Sequence, residues 1–408
     1  MFGNMIACAP GGAAPYTILR RFGCEFEFLV PAAGGRPRDS NEAQRDQTQA
    51  EAARAVSAAS GQDTRFHARN DPARRRVTQW WKVVDDNSLR SERRPKNTGV
   101  EVVSPILSGQ AGLFALERAV GAITTLNPEV NKSTGYHVHI DATDLKQAID
   151  NGAQPVLRQV AVARRKADAA LLAIKKICVA YIIYEPAFDL LTKRSRQQHE
   201  NRLCQSCRSG DSMQDQYRQI QRIKRAATLR EVVLVMNPPT RTSNGEPHRI
   251  YKLNLTNLVD GPNGRGHGTI EFRQYHGTVD ATEARNWVEL LQFFVHRVKK
   301  PEAEYIAQPP EMRTVAQLWQ HMMYQTVQRK HLTDYYWNQI VRLDEQDNQG
   351  VQRIYRAQTY ERRAVRGLAA RLQQGVSTAL AALRLREVPG VSEDDIPAYV
   401  RGVNLAAQ

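Results

Sequence analysis

"STGYHVHID", residues 133–141, sets two of the chain's ten histidines, His137 and His139, two positions apart in an apolar run. Side chains on a strand alternate faces, so these two imidazoles share a side, with Cα atoms roughly 6.5–7 Å apart. Tyr136, Val138 and Ile140 take the other side. The stretch therefore predicts a strand that is apolar on one face and chemically active on the other. Asp141, which follows, reads as the end of that strand or the cap of the next segment.

Two further stretches repeat the pattern. "CEFEF" spaces Glu25 and Glu27 by two, and "IEFRQ" does the same for Glu271 and Arg273, each pair flanked by Phe or Ile. A lone Glu-x-Glu is usually a solvated face, and a Glu-x-Arg can be a cross-strand ion pair. Three such pairs on three strands instead predict a sheet with one face against helices and the other lined by carboxylates, imidazoles and a guanidinium. Two carboxylates about 5 Å apart repel by roughly 3 kcal/mol at an effective dielectric near 20. Glu25, Glu27, Glu271 and Glu101 of "GVEVVSP" can therefore share a concave surface only where protons, arginines or metal ions compensate them. Carboxylates with an occasional imidazole suit Mg²⁺ or Mn²⁺ better than Zn²⁺, and such ions typically hold nucleotide phosphates.

Outward from these strands, the chain's 408 residues bury a sizeable core, and 41% hydrophobic with 24% charged residues describes a globular protein. The longest apolar region, "DAALLAIKKICVAYIIY", is short and carries Lys175 and Lys176, which predicts a buried helix and no membrane partner. Five cysteines and an N-terminus without a secretory pattern lead us to expect a reducing, intracellular, cytoplasmic location. The net charge of +15 favours anionic partners without choosing among nucleotides, acidic peptides and nucleic acid. Its densest run, Arg74–Arg76, reads as a solvated loop.

Periodicity predicts strands at "TILRRFGCEFEFLVP", "VTQWWKVVDDNSL", "TGVEVVSPIL", "GYHVHID", "RIYKLNLTNL" and "TIEFRQYHG". Helices are expected after residue 40, over "GLFALERAVGAITTLNP", from about Val156 to Leu191, and over "TVDATEARNWVELLQFFVHRVKKP", where Asp280 and Glu283 form an N-terminal box. A polar linker covers Lys193 to about Gln214. Within it, "CQSC" (Cys204, Cys207) and the upstream His199 provide three possible zinc ligands without a second Cys pair, so free thiols are the simpler reading. "GPNGRGHG" lacks the Lys-Ser/Thr of a P-loop and reads as a hairpin connection. His276 and Asp280 either border the site or sit in a loop.

The ordered set "FGCEFEFLVP", "WKVVDDNSL", "GVEVVSPIL", "STGYHVHID", "RIYKLNL" and "GTIEFRQYHGTVDATEARNWVELL" resembles the amidoligases, carboxylate–amine ligases with a glutamine-synthetase-like fold, and "YEPAFDLLTKRSRQQHENRLC" resembles their fungal-type members. The resemblance implies an α+β fold, a curved antiparallel sheet with helices on its outer face. It implies a domain over 16–300 with a helical insert at about 156–235, between a flexible leader (1–15) and a basic helical C-terminal extension (301–408). ATP and two or three Mg²⁺ or Mn²⁺ ions would lie in the concavity. Glu25, Glu27, Glu101, His137 and Glu271 would be metal ligands, while His139, Arg273, Arg249 and Asn254 would meet ATP. Arg273, Glu271 and Glu27 would serve catalysis. Asp86 and Ser88 match an Asp-Gly-Ser motif that touches substrate, with Asn87 in the glycine's place, a residue that tolerates the left-handed conformation. The implied reaction joins a carboxylate to an amine at the expense of ATP through an acyl phosphate. Two alternatives stay open: a metal-dependent hydrolase, since "HVHID" imitates a His-x-His-x-Asp ligand run, and a catalytically inactive basic binding module.

Overall fold

Alternating burial along "FGCEFEFLV" builds the first strand, β1 (Phe22–Val30), with Cys24, Phe26 and Phe28 fully buried on one side. Strands β2 (Thr64–Phe66), β3 (Trp81–Val84), β4 (Thr98–Val103), β5 (Gly135–Asp141), β6 (Leu253–Asn254) and β7 (Thr269–His276) join it in one open sheet, ordered β2-β3-β4-β1-β5-β7-β6. All neighbours run antiparallel except β2 and β3. The computed structural model describes residues 20–31, 42–92, 97–153, 160–197, 201–210, 212–261, 266–300, 305–306 and 315–349. The leader, His199, the centre of "GPNGRGHG" and residues 350–408 of the C-terminal extension lie outside the described residues.

The apolar face is covered by α2 (Gly109–Thr124), α4 (Val160–Asp189) and α7 (Ala281–Val298). Phe26 stacks on Tyr136 at 4.5 Å, Tyr136 meets Tyr275 edge-on, and Tyr275 packs on Trp287 of α7 at 4.5 Å. Phe188 of α4 then meets Trp287 and Phe294 edge-on. Each fully buried large apolar side chain contributes about 1.5–3 kcal/mol, so this aromatic file is a principal source of sheet–helix cohesion. Beneath it lies an ionic knot. Lys252 Nζ sits 2.8 Å from both oxygens of Asp189 and 3.3 Å from Glu185, with all three side chains fully buried.

Several local expectations are corrected. "RIYKLNLTNL" forms only a two-residue strand, because Asn254 Oδ1 accepts the Thr256 amide at 2.9 Å and turns the chain into a 3₁₀ turn at Thr256–Leu258. The expected helix at 156–191 is α4, and α3 (Thr143–Gly152), started by Asp141, precedes it. The linker holds a 3₁₀ turn at Arg194–Arg196 and leads into α5 (Met213–Arg225) and α6 (Leu229–Met236). In α7, Asp280 caps the Glu283 amide as the box requires, at 2.9 Å. Glu283 does not reciprocate: its carboxylate accepts from the Thr278 hydroxyl, from Gln339 at 2.5 Å and from Arg342 at 3.0 Å, which docks α9 (Lys330–Gln349) against the start of α7. α1 (Glu42–Ser60) forms where the polar, Ala-rich segment predicts it, and α8 (Val315–Gln320) runs into a π-helical turn before α9.

Candidate active site

Strand order and register assemble the polar face. Glu27 lies opposite Glu101, Glu25 opposite His137, and His139 and Asn254 both opposite Glu271. Because alternate residues share a face, β4, β1, β5 and β7 present these groups together with Arg273. The β5–β7 register shifts between Tyr136 and Val138, so an irregularity of the kind that re-aims side chains falls at His137. One cavity of about 1220 Å³ covers this floor. Every residue to which the resemblance gives a site role lines it: Glu25, Glu27, Asp86, Ser88, Glu101, His137, His139, Arg249, Asn254, Glu271 and Arg273.

The contacts are close. His137 Nδ1 lies 3.2 Å from Glu25 Oε2, and its Nε2 faces Glu27 Oε1 at 3.5 Å without a hydrogen bond. His139 Nε2 lies 3.1 Å from Glu25 Oε1, and its Nδ1 lies 3.3 Å from the Thr269 hydroxyl. Asn254 donates to Glu271 at 2.6 Å, while an Arg273 N–H donates to the other oxygen of the same carboxylate at 2.5 Å.

Electrostatics follow from this crowding. Burial works to raise the Glu25 carboxyl, yet His139 and His137 hold it well below its ordinary value. Glu271 is likewise lowered against burial, by Arg273 and then His139. His139 is pushed up to about 9, because Glu25 and Glu271 outweigh the burial that opposes its charge. Glu101 goes the other way: burial first, then the charges of Glu25, Glu27 and Asp86, raise it well above the carboxylate range. A floor that pushes one carboxyl and one imidazole up has more acid than its own arginines offset.

That surplus fits divalent cations. Glu25, His139 and Glu271 each offer a ligand atom, all within 4.8 Å of one another. His137 Nε2, buried and without a hydrogen bond, points at Glu27 beside them. Hard carboxylate oxygens with an imidazole are the donor set of Mg²⁺ or Mn²⁺. This grouping takes His139 where the resemblance implies His137 as the ligand; His137 lies next to it, bonded to the same Glu25.

The remaining residues arrange around the floor. Asp86 Oδ1 accepts the Ser88 amide at 2.7 Å, closing a turn at the cavity wall. Among the described non-glycine residues only Asn127, Asn244 and Gln328 have positive φ, so the turn at Asn87 needs no left-handed residue. Arg249 stands exposed at the mouth, and Asn254 lies buried at the floor. Arg74 and Arg76 also reach the cavity, and Arg74 pairs with Asp85, so that run is not merely a solvated loop. Asp141 ends β5 and accepts the Thr143 amide and hydroxyl at the start of α3, whose cap position is Ala142. His276 is buried outside the cavity lining, 3.5 Å from Glu283. Cys204 Sγ donates to the Arg273 carbonyl at 3.3 Å, and Cys207 Sγ accepts the Leu253 amide at 3.2 Å, so these buried thiols pin the linker onto β6 and β7. Sequence reading missed Arg196. It sits in the 3₁₀ turn Arg194–Arg196 of the linker, is 2% exposed and reaches within 3.6 Å of Glu27. The text "KRSRQQ" carries no periodicity that marks one arginine as buried.

Fold and site together define a carboxylate-rich, arginine-bearing centre on one face of an antiparallel sheet. The model of the family described as "Putative amidoligase enzyme" matches residues 19–295, more than half of the chain, and the protein belongs to that amidoligase family. No curated protein matches it. Among the described residues, no helix is long and apolar enough to cross a membrane.

Proposed function

We propose that the protein is an ATP-dependent carboxylate–amine ligase that forms an amide or isopeptide bond through an acyl phosphate. The observation that carries this reading is the Glu25–Glu27–Glu101–Glu271 set, interleaved with His137, His139 and Arg273 on one cavity floor; membership of an amidoligase family supports it. A carboxylate is a poor acylating agent because its leaving group would be oxide. Transfer of the γ-phosphoryl of ATP to the acceptor oxygen makes phosphate the leaving group, and an amine then displaces it. Two or three Mg²⁺ or Mn²⁺ ions, held by Glu25, Glu27, Glu101, His137 and Glu271, would supply charge neutralisation for the triphosphate.

This chain's own residues have separate tasks. Arg273, oriented by its bond to Glu271, offers a planar guanidinium to the transferring phosphoryl oxygens. Its Nε is buried and makes no hydrogen bond, so donor capacity is left for a ligand. His139, whose Nε2 lies 3.1 Å from Glu25, offers a second group to phosphate. Arg249 and Asn254 complete the nucleotide contacts, and Asp86 and Ser88 form the wall against substrate. Acceptor and amine must both reach the floor through the mouth, which the cavity's size allows.

The test is a screen of amino acids, acidic peptides and cell-wall precursors with ATP, Mg²⁺ and hydroxylamine. We expect ADP release that depends on the carboxylate, with hydroxamate formed in equal amount. ADP release without an acyl donor, or amide cleavage without ATP, refutes the ligase and favours the hydrolase; failure to bind ATP at all favours the binding module.

A further inference from the structure

We infer that Arg196, over Gly135 and beside Glu27 and His137 on the cavity floor, is the anchor for the acceptor's carboxylate. This inference rests on the ligase reading for the word acceptor; the anion subsite itself rests on geometry.

Along β5, Gly135, His137 and His139 share the polar face, and four residues of strand separate the first from the last by about 13 Å. His139 marks the end where Glu25 and Glu271 converge. Gly135 marks the other end, and the Arg196 guanidinium lies directly over it. A Cβ placed on Gly135 would meet Arg196 NH2 at 2.0 Å and Cζ at 2.8 Å, so only glycine admits the arginine there. Arg273, the other arginine of the floor, is tied to Glu271.

Arg196 is held but not satisfied. Its side chain is 3% exposed, and neither Nε nor NH2 makes a hydrogen bond. The nearest carboxylate, Glu27, stands 3.6 Å away, outside hydrogen-bond range. A buried guanidinium with unused N–H groups is costly unless a ligand completes it. The ligand that matches a planar fork is a carboxylate or a phosphate, both able to accept two parallel bonds. In the ligase reading Arg273 and His139 serve the triphosphate, so Arg196, beside Glu27 and His137, is left for the group that must accept the phosphoryl. Ser195, Asn201, Arg202 and Leu203 of the same linker also line the cavity, so the linker that carries Arg196 forms a continuous wall beside the acceptor.

The test measures binding without turnover. Glutarate, glutamate and short glutamate-terminated peptides are titrated calorimetrically into the full chain in the presence of the non-hydrolysable ATP analogue AMP-PNP and Mg²⁺; AMP-PNP is titrated separately. Wild-type protein should bind at least one of these carboxylates. Loss of a charge-assisted, bidentate pair should weaken that binding about 10- to 100-fold in Arg196→Gln, and by less in Arg196→Lys, which keeps the charge but not the fork. Affinity for AMP-PNP should change less than about threefold. Equal losses for carboxylate and AMP-PNP overturn the assignment in favour of a phosphate contact. No carboxylate binding by the wild type, or binding indifferent to Arg196, overturns it outright. Carboxylate binding that depends on Arg196 in a protein that never consumes ATP keeps the subsite and removes the ligase reading instead.

Discussion

Arg273 separates geometry from charge. It is half-buried on β7, and its Glu271 partner fixes the plane of its guanidinium toward the floor. Arg273→Lys preserves the positive charge and loses the fork. Removing one preorganised donor of this kind typically costs about 2.7–4 kcal/mol of transition-state stabilisation, about 10²–10³ in rate. We expect turnover to fall by that factor while AMP-PNP affinity falls far less, measured as ADP release and by calorimetry; parallel losses in both would make Arg273 a ground-state nucleotide contact. At this scale the sequence was legible wherever a side chain's place on the polar face follows from strand alternation: Glu25, Glu27, His137, His139, Glu271 and Arg273 were all marked by spacing of two. It was not legible for Arg196, whose burial is imposed by a glycine sixty residues upstream and by no local pattern.

Elements carry a different cost. α4 and β6 meet through Lys252, Asp189 and Glu185, and Cys207 and Gln274 donate to the same carboxylates. Replacing a whole buried ionic group with apolar residues can be neutral, but removing one member strands the others. Lys252→Met leaves two carboxylates in an apolar interior, and we expect a loss of about 3–5 kcal/mol in urea unfolding. A triple change to apolar residues of similar volume should recover most of it; a Lys252→Met protein as stable as wild type would show that the knot contributes nothing. This knot explains an error of sequence reading. "RIYKLNLTNL" looks like a long strand because its apolar residues alternate, yet Lys252 turns inward to α4 and Asn254 turns the chain. The partners that decide the matter lie far away in sequence, and periodicity does not register them.

For the whole molecule, α9 is fastened to the domain by Glu283, the point where the C-terminal helices meet α7. Burial alone would raise this carboxyl; His276, Thr278 and Gln339 hold it from an ordinary 4.5 down to about 2. A group with a depressed folded pKa stabilises fully above its unfolded value and loses that contribution as pH falls toward its folded value. The wild type should therefore lose about 3 kcal/mol between roughly pH 4.5 and 2 that Glu283→Gln does not lose. Denaturant midpoints of the two proteins across that range measure the difference; parallel curves would show that Glu283 is not so held. The α+β class and the helix-covered face were readable from the sequence because the apolar halves of the strands demand a cover. The place of β2, parallel to β3 at the sheet edge, was not, since three residues carry too little pattern.

The position of β5 bears on how the protein is made. Its neighbours in the sheet are β1, synthesised before it, and β7, which begins only at Thr269. While α3 to α6 emerge from a ribosome, β5 can pair with β1 but has a bare row of N–H and C=O groups along its other side. The acids of β1 and β4 meanwhile lack Arg273. Such an edge is a template for adhesion to other chains. The nascent protein is thus most vulnerable to aggregation across one long interval of translation, and the strand that ends this interval is the one that delivers Glu271 and Arg273.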